Sequence, residues 1–583
     1  MKTETPRLVA VDTETTGLNV YSPKVQPILV SWCHKGGVGL FRPDAGVPSF
    51  FRSWLADPKV AKLFWNAPFD IEVLSKIGCE VRGQIHDGYI AARLIESDKQ
   101  KLSLKDAARE FLNDPYLPEI RLRKYVRNNR IDVKRTGYGQ IPARILEPYA
   151  VHDARMTFRL WKLYRPKLVE AGMWEVYLRD LAAQAVARAG TRAGLLLDLG
   201  RATALAEEVE RAREAKLAAL REISGRPDFN PNAPAQVASF VYDGQDVRSG
   251  RWTKTGKVST DEIALLRIGT KRAAAILEYR TLAKAKSTYL KPLLKESVKG
   301  RIHPSLNVVG TRTGRFSSSN PNLQNIPRVG EGLLAQMRHC FVADPGTFLV
   351  FLDYDQVELR LAAHFSGEPA MLKAIREGKD LHGETAKLVF NIKEDHPNWK
   401  TYRFLGKTLN LSIQYGIGPE KYRDAVFKLT SRAGNPLILD LSEASQHISD
   451  YKSAHPKIVE LFSKIDQEVA ATGGVRNPYG RFIRVDPSAT YTGVNYLIQS
   501  TSADVMKEAM ISCQPLLKDY GAEFRLTVHD ELIFSVPLGS KALVEKLRDH
   551  MEVYDRFTVP LTCSASYGRS WGTKKDIKRS LSA

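Results

Sequence analysis

The chain has 583 residues, 43% of them hydrophobic, which is enough for several domains with their own cores and excludes a disordered chain. The 86 basic against 65 acidic residues leave a formal charge of +21, pointing to a polyanionic partner, with nucleic acid fitting best. MKTETPRLVAVDTET lacks the apolar core of a signal peptide, no later run approaches the roughly 20 apolar residues of a membrane span, and the five scattered cysteines never form a CxxC pair; a cytoplasmic protein without disulfides or structural zinc is expected.

Arg7 to Val11 reads as a strand that runs into Asp12. Residues i and i+2 of a strand face one side, so Asp12 and Glu14 project together and repel unless a cation sits between them. A third acid, Asp70, follows another apolar strand candidate. Tyr149 and Asp153 are four apart in a helix-compatible run and share a face. His86 and Asp87, by contrast, read as structural. The ordered set Asp12-x-Glu14, Asp70, Tyr149-x3-Asp153 resembles the proofreading exonucleases of the DEDDy type. That resemblance covers residues 1–170 and implies a ribonuclease H-like domain in which Asp12, Glu14, Asp70 and Asp153 are metal ligands. It also implies two-metal hydrolysis of the terminal 3′ phosphodiester, with Tyr149 helping to orient the attacking water.

From Leu160 to about Glu222 the sequence is strongly helical, and a linker is expected over 171–190. Arg226 to Pro234 breaks the helix, and in the segment Thr253-Lys254-Thr255 to Asp261 the run Ser259-Thr260-Asp261 should cap the next one. Arg280, Lys284, Lys286 and Lys291, interleaved with Tyr279 and Tyr289, make a face able to follow a phosphate backbone. Thr311 to Pro327 is too rich in Gly, Ser, Asn and Pro to read as a buried element. It carries Arg315, Asn322 and Gln324, donors suited to the minor-groove acceptors that every base pair presents.

Phe348 to Glu358, FLVFLDYDQVE, is an apolar strand delivering Asp353 to its end. Arg525 to Val536 reads as a hairpin turning at His529-Asp530-Glu531, with its acids at the tip. Carboxylates at strand ends are oxygen ligands on rigid elements, as Mg²⁺ requires, so Asp353 and Asp530 read as two halves of one metal site. Asp395-His-Pro397 opens a long helical run closed by Gly416 and Gly418. Along it Arg403, Lys407, Leu411 and Tyr415 recur every four residues as one stripe, basic toward its N-terminal half and apolar or aromatic toward the other. A nucleoside triphosphate has matching polarity. Asn495 and Gln499 are two amides four apart on a later helix.

Taken together, the Thr311–Pro327 segment, DYDQVELR, the helix with Arg403 and Lys407, and VHDEL resemble the signature set of family A DNA polymerases, in order and spacing, over roughly 190–572. The resemblance implies a right-hand polymerase domain over 191–583, α/β in class, after the exonuclease domain. The thumb is expected over 191–300, the palm over 301–365 and 491–583, and the fingers over 366–490. Two Mg²⁺ per active site, or Mn²⁺ in their place, would be held by Asp353, Tyr354 and Asp530, with Glu531 among the catalytic residues. Arg403, Lys407, Leu411, Tyr415, Gln356, Glu358 and His382 would face the dNTP, with Glu358 as a steric gate against a 2′ hydroxyl and Lys407 placed to protonate pyrophosphate. Arg315, Asn322, Gln324, Asn495, Gln499 and His529 would contact DNA.

The chain departs from the family pattern at Leu411, where Phe or Tyr is usual, at Asp355 for Ser, at Tyr491 for Arg and at Ser500 for Gly. The function expected is template-directed extension of a primer by dNTPs with intrinsic 3′-to-5′ proofreading, by a monomer whose replisome partners, a helicase or single-strand-binding protein among them, are unspecified. Compact size and the lack of a 5′ nuclease segment before Asp12 suggest a phage enzyme. The rivals are a phage-type single-subunit RNA polymerase, against which Glu358 and the exonuclease pattern stand, and a nuclease or DNA-binding factor with an inactive polymerase half.

Overall fold

A computed structural model describes residues 5–99, 102–242, 251–253, 255–327, 332–413 and 415–578, so Lys254 lies outside the described residues. β1 (Leu8–Thr15) is the centre of the first sheet because its alternate residues are buried on both faces. Around it lie β2 (Pro27–His34), β3 (Gly37–Phe41), β4 (Ala61–Phe64) and β5 (Ile85–Asp87), in the order β3-β2-β1-β4-β5. β4 runs parallel to β1, and β2 antiparallel.

Val9, Val11, Val30, Phe51 and Trp54 form the core on one face of this sheet. α1 (Ala67–Lys76) packs into that same core through Ala67, Ile71 and Leu74, while α2 (Leu104–Leu112) and α3 (Ala143–Glu170) pack with Ala10 and Leu63 on the other face, and the three bring in the remaining residues of the first site. α4 (Trp174–Ala193) then carries the chain across to the second half. His86 and Asp87 are structural, as read from the sequence. Asp87 caps the following helix at the Tyr89 and Ile90 amides and also accepts from Asn66, Ala67 and Gln184, while His86 Nδ1 lies 3.2 Å from the Tyr177 hydroxyl.

In the middle of the chain Asp261 accepts from the Ala264 amide and caps Glu262–Ile268, as its sequence context requires. The basic face expected after Arg280 is only partly realised. Arg280 turns inward and donates to the Pro231 and Thr260 carbonyls, and Lys286 pairs with Glu210, while Lys284 and Lys291 are exposed. Two bare carbonyls in a half-buried corner hold that guanidinium more firmly than solvent would.

The second half is built on β6 (Thr347–Tyr354), which lies at the middle of an antiparallel sheet. It is followed by α5 (Val357–Ser366), α6 (Leu381–Phe390), α7 (Trp399–Ile413) and α8 (Thr492–Ser512). β7 (Glu523–Val528) and β8 (Glu531–Pro537) form the predicted hairpin, with His529 in the left-handed region at its corner (φ 56°). β9 (Cys563–Gly568) and β10 (Lys575–Ile577) complete the order β7-β8-β6-β9-β10. β10 pairs only with β9 and is the edge strand of this sheet. Among the described residues no helix is long and apolar enough to cross a membrane.

One hydrophobic core runs without a break from Ala10, Leu63 and Ala154 through Tyr177 and Val186 to Val350, Leu352 and Phe534. Within it lies a buried set of charges. Arg481, 3% exposed, donates to both oxygens of Asp180 on α4 (2.7 and 3.1 Å) and to both of Asp504 on α8 (2.6 and 2.9 Å), and Lys507 Nζ reaches Asp180 at 2.6 Å. Gly314 sits directly on that guanidinium: with φ 78° and Arg481 Cζ 2.9 Å from where a Cβ would stand, only glycine fits. The Thr311–Pro327 segment is therefore not the exposed loop its composition suggests, for Thr313, Gly314, Phe316, Leu323 and Ile326 are buried.

Removing one partner from a fully buried ion network leaves the others uncompensated and costs about 3–5 kcal/mol. Arg481→Met should therefore lower the urea unfolding free energy by an amount in that range, because the network ties the connecting helix α4 to α8.

Candidate active sites

The first site forms at the end of β1. Asp12, Glu14 and Asp153 each bring a carboxylate oxygen within 4.8 Å of the others. The strand places Asp12 and Glu14 on one side, and α3 crosses that side with Asp153 and, one turn earlier, Tyr149. Asp70 stands beside this trio in the first turn of α1, where it accepts from the Thr13 hydroxyl at 2.7 Å. Burial, then Asp153, Glu14 and Asp70, push the Asp12 carboxyl well above the usual range, and burial followed by Asp153 does the same to Glu14. Burial raises Asp70 to about 7, against the opposing Thr13 hydrogen bond. Asp12 Oδ2 is buried with no hydrogen-bond partner. Oxygen donors that repel one another in a low dielectric, one of them orphaned, suit a hard divalent cation.

Two residues in this site carry no motif in the sequence. Lys105 on α2 donates to Asp153 Oδ2, and Tyr116 donates its hydroxyl to Asp153 Oδ1 at 2.7 Å. The packing of α2 against α3 brings Lys105 there and Tyr116 comes from the turn beyond α2, so no spacing rule could have found them.

The second site gathers at the end of β6. Asp353 lies directly across from Glu531 in the β6–β8 ladder, and the Tyr354 amide donates to the Asp530 carbonyl at 3.1 Å, so the two acids close neighbouring strands as expected. The Tyr354 hydroxyl is turned inward onto the Met551 carbonyl, which leaves only its main chain beside Asp530. Glu531 is buried and paired with Lys574.

Arg315 donates to Glu358 and lies 3.8 Å from Asp530 Oδ1, where Ser502 Oγ also approaches at 3.4 Å. Burial, then Asp530, raise the Glu358 carboxyl against the opposing pull of Arg315. The Tyr415 hydroxyl accepts from Gln499 Nε2 at 2.8 Å and also engages Glu358 and Asn495. Gln324 donates to the Thr527 carbonyl (3.2 Å), and with Arg315, Ser502, His529 and Asp530 it lines one depression; Asn322 is exposed nearby. Gln356, exposed and left-handed (φ 50°), turns the chain from β6 into α5 so that Glu358 falls in the first helical turn.

The stripe on α7 is solvent-facing: Arg403 and Lys407 are exposed, and Leu411 is 39% exposed. The helix ends at Ile413, however, so Tyr415 belongs to the turn beyond it, drawn there by Gln499 and Glu358; Gln414 lies outside the described residues. Arg403 is held by both oxygens of Asp380 (2.6 and 3.1 Å), a partner the sequence pattern did not reveal. His382 is buried against Asn410, and burial lowers it to about 4, which keeps the ring neutral. The departures at Asp355, Tyr491 and Ser500 have structural accounts. Asp355 accepts from Ser564 and Thr562 and ties β6 to β9, Tyr491 packs on the left-handed Gly416, and buried Ser500 is bonded to Asn477 and the Leu497 carbonyl.

A sheet presenting two strand-end acids beside a tyrosine-bearing turn and a basic helix stripe, preceded by an acid-lined α/β domain, gives the chain a composite build with two acid-bearing candidate sites. The chain matches the family model described as DNA polymerase family A over residues 201–573, and the model described as 3′-5′ exonuclease over 1–168. It belongs to DNA polymerase family A. It is 33% identical to DNA polymerase I of Chloroflexus aurantiacus over 565 residues, covering 91% of this chain and 56% of that protein, and 35% identical to the thermostable DNA polymerase I of Thermus filiformis over 446 residues, covering 72% and 51%. With DNA polymerase I of Pseudomonas aeruginosa it shares 29% identity over 98% of this chain and 64% of that one. The chain thus spans about half to two-thirds of the length of these relatives. Among solved structures it is similar to the POL domain of Pol1 from M. smegmatis in complex with DNA primer-template and dNTP, with a TM-score of 0.80, 25% identity, and coverage of 97% of this chain and 95% of that one.

A carboxyl raised from 3.8 to about 7 keeps its proton in the folded chain after the unfolded chain has lost it. The folded state then binds more protons, and stability falls as pH rises between those two values. In EDTA the unfolding midpoint of the wild-type protein should therefore drop between pH 4.5 and 7.5 relative to that of Asp70→Asn, and excess Mg²⁺ should narrow the gap. Thermal melts at matched ionic strength check both.

Proposed function

We propose that this chain is a template-directed DNA polymerase that extends a primer 3′ end with dNTPs and edits with its own 3′-to-5′ exonuclease. The observation that carries the reading is the convergence of Arg315, Glu358, Tyr415, Gln499 and Asp530, from five separate stretches of the chain, around the end of β6. Family membership and the likeness to a polymerase bound to primer-template and dNTP support the same substrates. The division follows the sequence: exonuclease over 1–170, linker over 171–190, and polymerase over 191–583 with thumb about 191–300, palm about 301–365 and 491–583, and fingers about 366–490. The relatives named above are bacterial and lend no support to a phage origin.

In the polymerase site Asp353 and Asp530 would hold two Mg²⁺, with Mn²⁺ able to replace them. Such ions, when bound, make an attacking oxygen more acidic and neutralise charge on the leaving pyrophosphate. The chain does the positioning. Arg403 and Lys407 on the exposed stripe would meet the triphosphate, Arg403 exchanging Asp380 for phosphate oxygens of higher charge, and Lys407 is placed to return a proton to pyrophosphate. Tyr415, anchored by Gln499 and Glu358, closes the sugar side of the pocket, and Glu358, itself pinned by Arg315, leaves no room for a 2′ hydroxyl. Arg315, Gln324, Asn495, Gln499 and His529 would follow the minor groove of the primer-template. In the exonuclease site Asp12, Glu14, Asp70 and Asp153 would hold the ions for hydrolysis, and Tyr149 would orient the attacking water.

A labelled primer on single-stranded template, with and without dNTPs, tests both halves at once. Asp353→Ala or Asp530→Ala should reduce extension by about 10³-fold or more while trimming persists, and retained extension defeats the polymerase assignment. Asp12→Ala with Glu14→Ala should abolish trimming and spare extension. For Glu358→Ala, ribonucleotide insertion should rise by at least about tenfold, a change of about 1.4 kcal/mol in relative barrier, as read from dNTP and NTP competition on the same template.

A further inference from the structure

The Asp12, Glu14 and Asp153 group contains a cation supplied by the chain itself. Lys105 projects from α2, a helix fixed by its Ser103 cap and by buried Leu104, Ala107 and Ala108. Its ammonium donates to Asp153 Oδ2, and the other oxygen of Asp153 accepts from Tyr116. Two aromatic faces flank the ammonium, with the Tyr149 ring centroid at 4.9 Å and that of Tyr116 at 5.8 Å. The Asp153 side chain is 3% exposed and that of Lys105 19%. Asp12 and Glu14 are close enough for the same ammonium to offset part of their repulsion.

We propose that Lys105 is the resident counter-cation of the exonuclease site: it holds the Asp153 carboxylate in the ligand position ahead of any metal, and a divalent ion binding there must compete with it for Asp153. The inference rests on the exonuclease reading of these acids. Buried carboxylates left without a cation would drive the site apart, and a lysine boxed by two tyrosines keeps it assembled. The same positive charge opposes an entering ion. Lys105 therefore sets how much metal the editing site needs, independently of the polymerase site, and it is a positioning residue acting through Asp153.

The test uses the full chain and Mn²⁺ as the probe, with bound ion counted by electron paramagnetic resonance and the Asp12→Ala, Glu14→Ala double variant as the reference for ions held elsewhere. Lys105→Met should bind the Mn²⁺ missing from the double variant at least about tenfold more tightly than wild type, the scale expected when a neighbouring like charge is removed. In EDTA its thermal midpoint should fall below that of wild type, and Mn²⁺ should raise it further than it raises wild type. Lys105→Arg, which keeps the charge, should stay close to wild type in both. If Lys105→Met does not fold, Lys105→Gln, which keeps a donor to Asp153 without the charge, takes its place. Equal or weaker Mn²⁺ binding in the neutral variant overturns the proposal and turns attention to a direct contact between Lys105 and the substrate phosphate. A double variant that binds as many ions as wild type instead defeats the reading of the acids as an ion site.

Discussion

Carboxylates brought together in a low dielectric repel one another, and everything chemical about this chain depends on how that repulsion is met. At the end of β1 the answer is a lysine between two tyrosine rings. At the end of β6 it is Arg315, which engages Glu358 and stands beside Asp530. Both cations sit on elements whose place is fixed by packing: Lys105 on α2, and Arg315 one residue after Gly314, which is pressed onto the Arg481 guanidinium. Both cations are thus positioned by packed residues behind them, the buried face of α2 in one case and Arg481 in the other.

The fold and the sites were legible to different degrees, for physical reasons. Strand-end acids are visible because an apolar β-favouring run ending in Asp is a local pattern, and Asp353 and Asp530 lie where that pattern puts them, whereas β1 continues past Asp12 and Glu14 to Thr15. The hairpin at His529 and the cap at Asp261 are equally local. Pairs that form only across the tertiary structure left no trace. Lys105 and Tyr116 reach Asp153 over 48 and 37 residues, and Asp180 reaches Arg481 over 301. Nothing in an isolated stretch distinguishes such a lysine from one on a solvated helix face.

Composition misled in two places. The Gly- and Ser-rich segment around Gly314 read as exposed, yet its small residues are what allow close approach to a buried arginine. Arg280 read as a phosphate-facing cation, yet two main-chain carbonyls claim it. In both cases the missing information was a partner distant in sequence. The departures at Asp355 and Ser500 are accounted for by their partners: Asp355 accepts from Ser564, 209 residues away, while Ser500 donates to the Leu497 carbonyl within its own helix.

The unbroken core and the Asp180–Arg481–Asp504 contacts are reinforced by hydrogen bonds from Asn307 to Tyr89, from Arg312 to the Asp98 carbonyl and from the Arg484 amide to Ser97. The two proposed centres are therefore joined through packed and hydrogen-bonded contacts. On the proposed reading a mispaired end cannot be fetched by a swinging domain. The nucleic acid has to make that journey, so the balance between synthesis and correction is governed by how readily the last few base pairs fray.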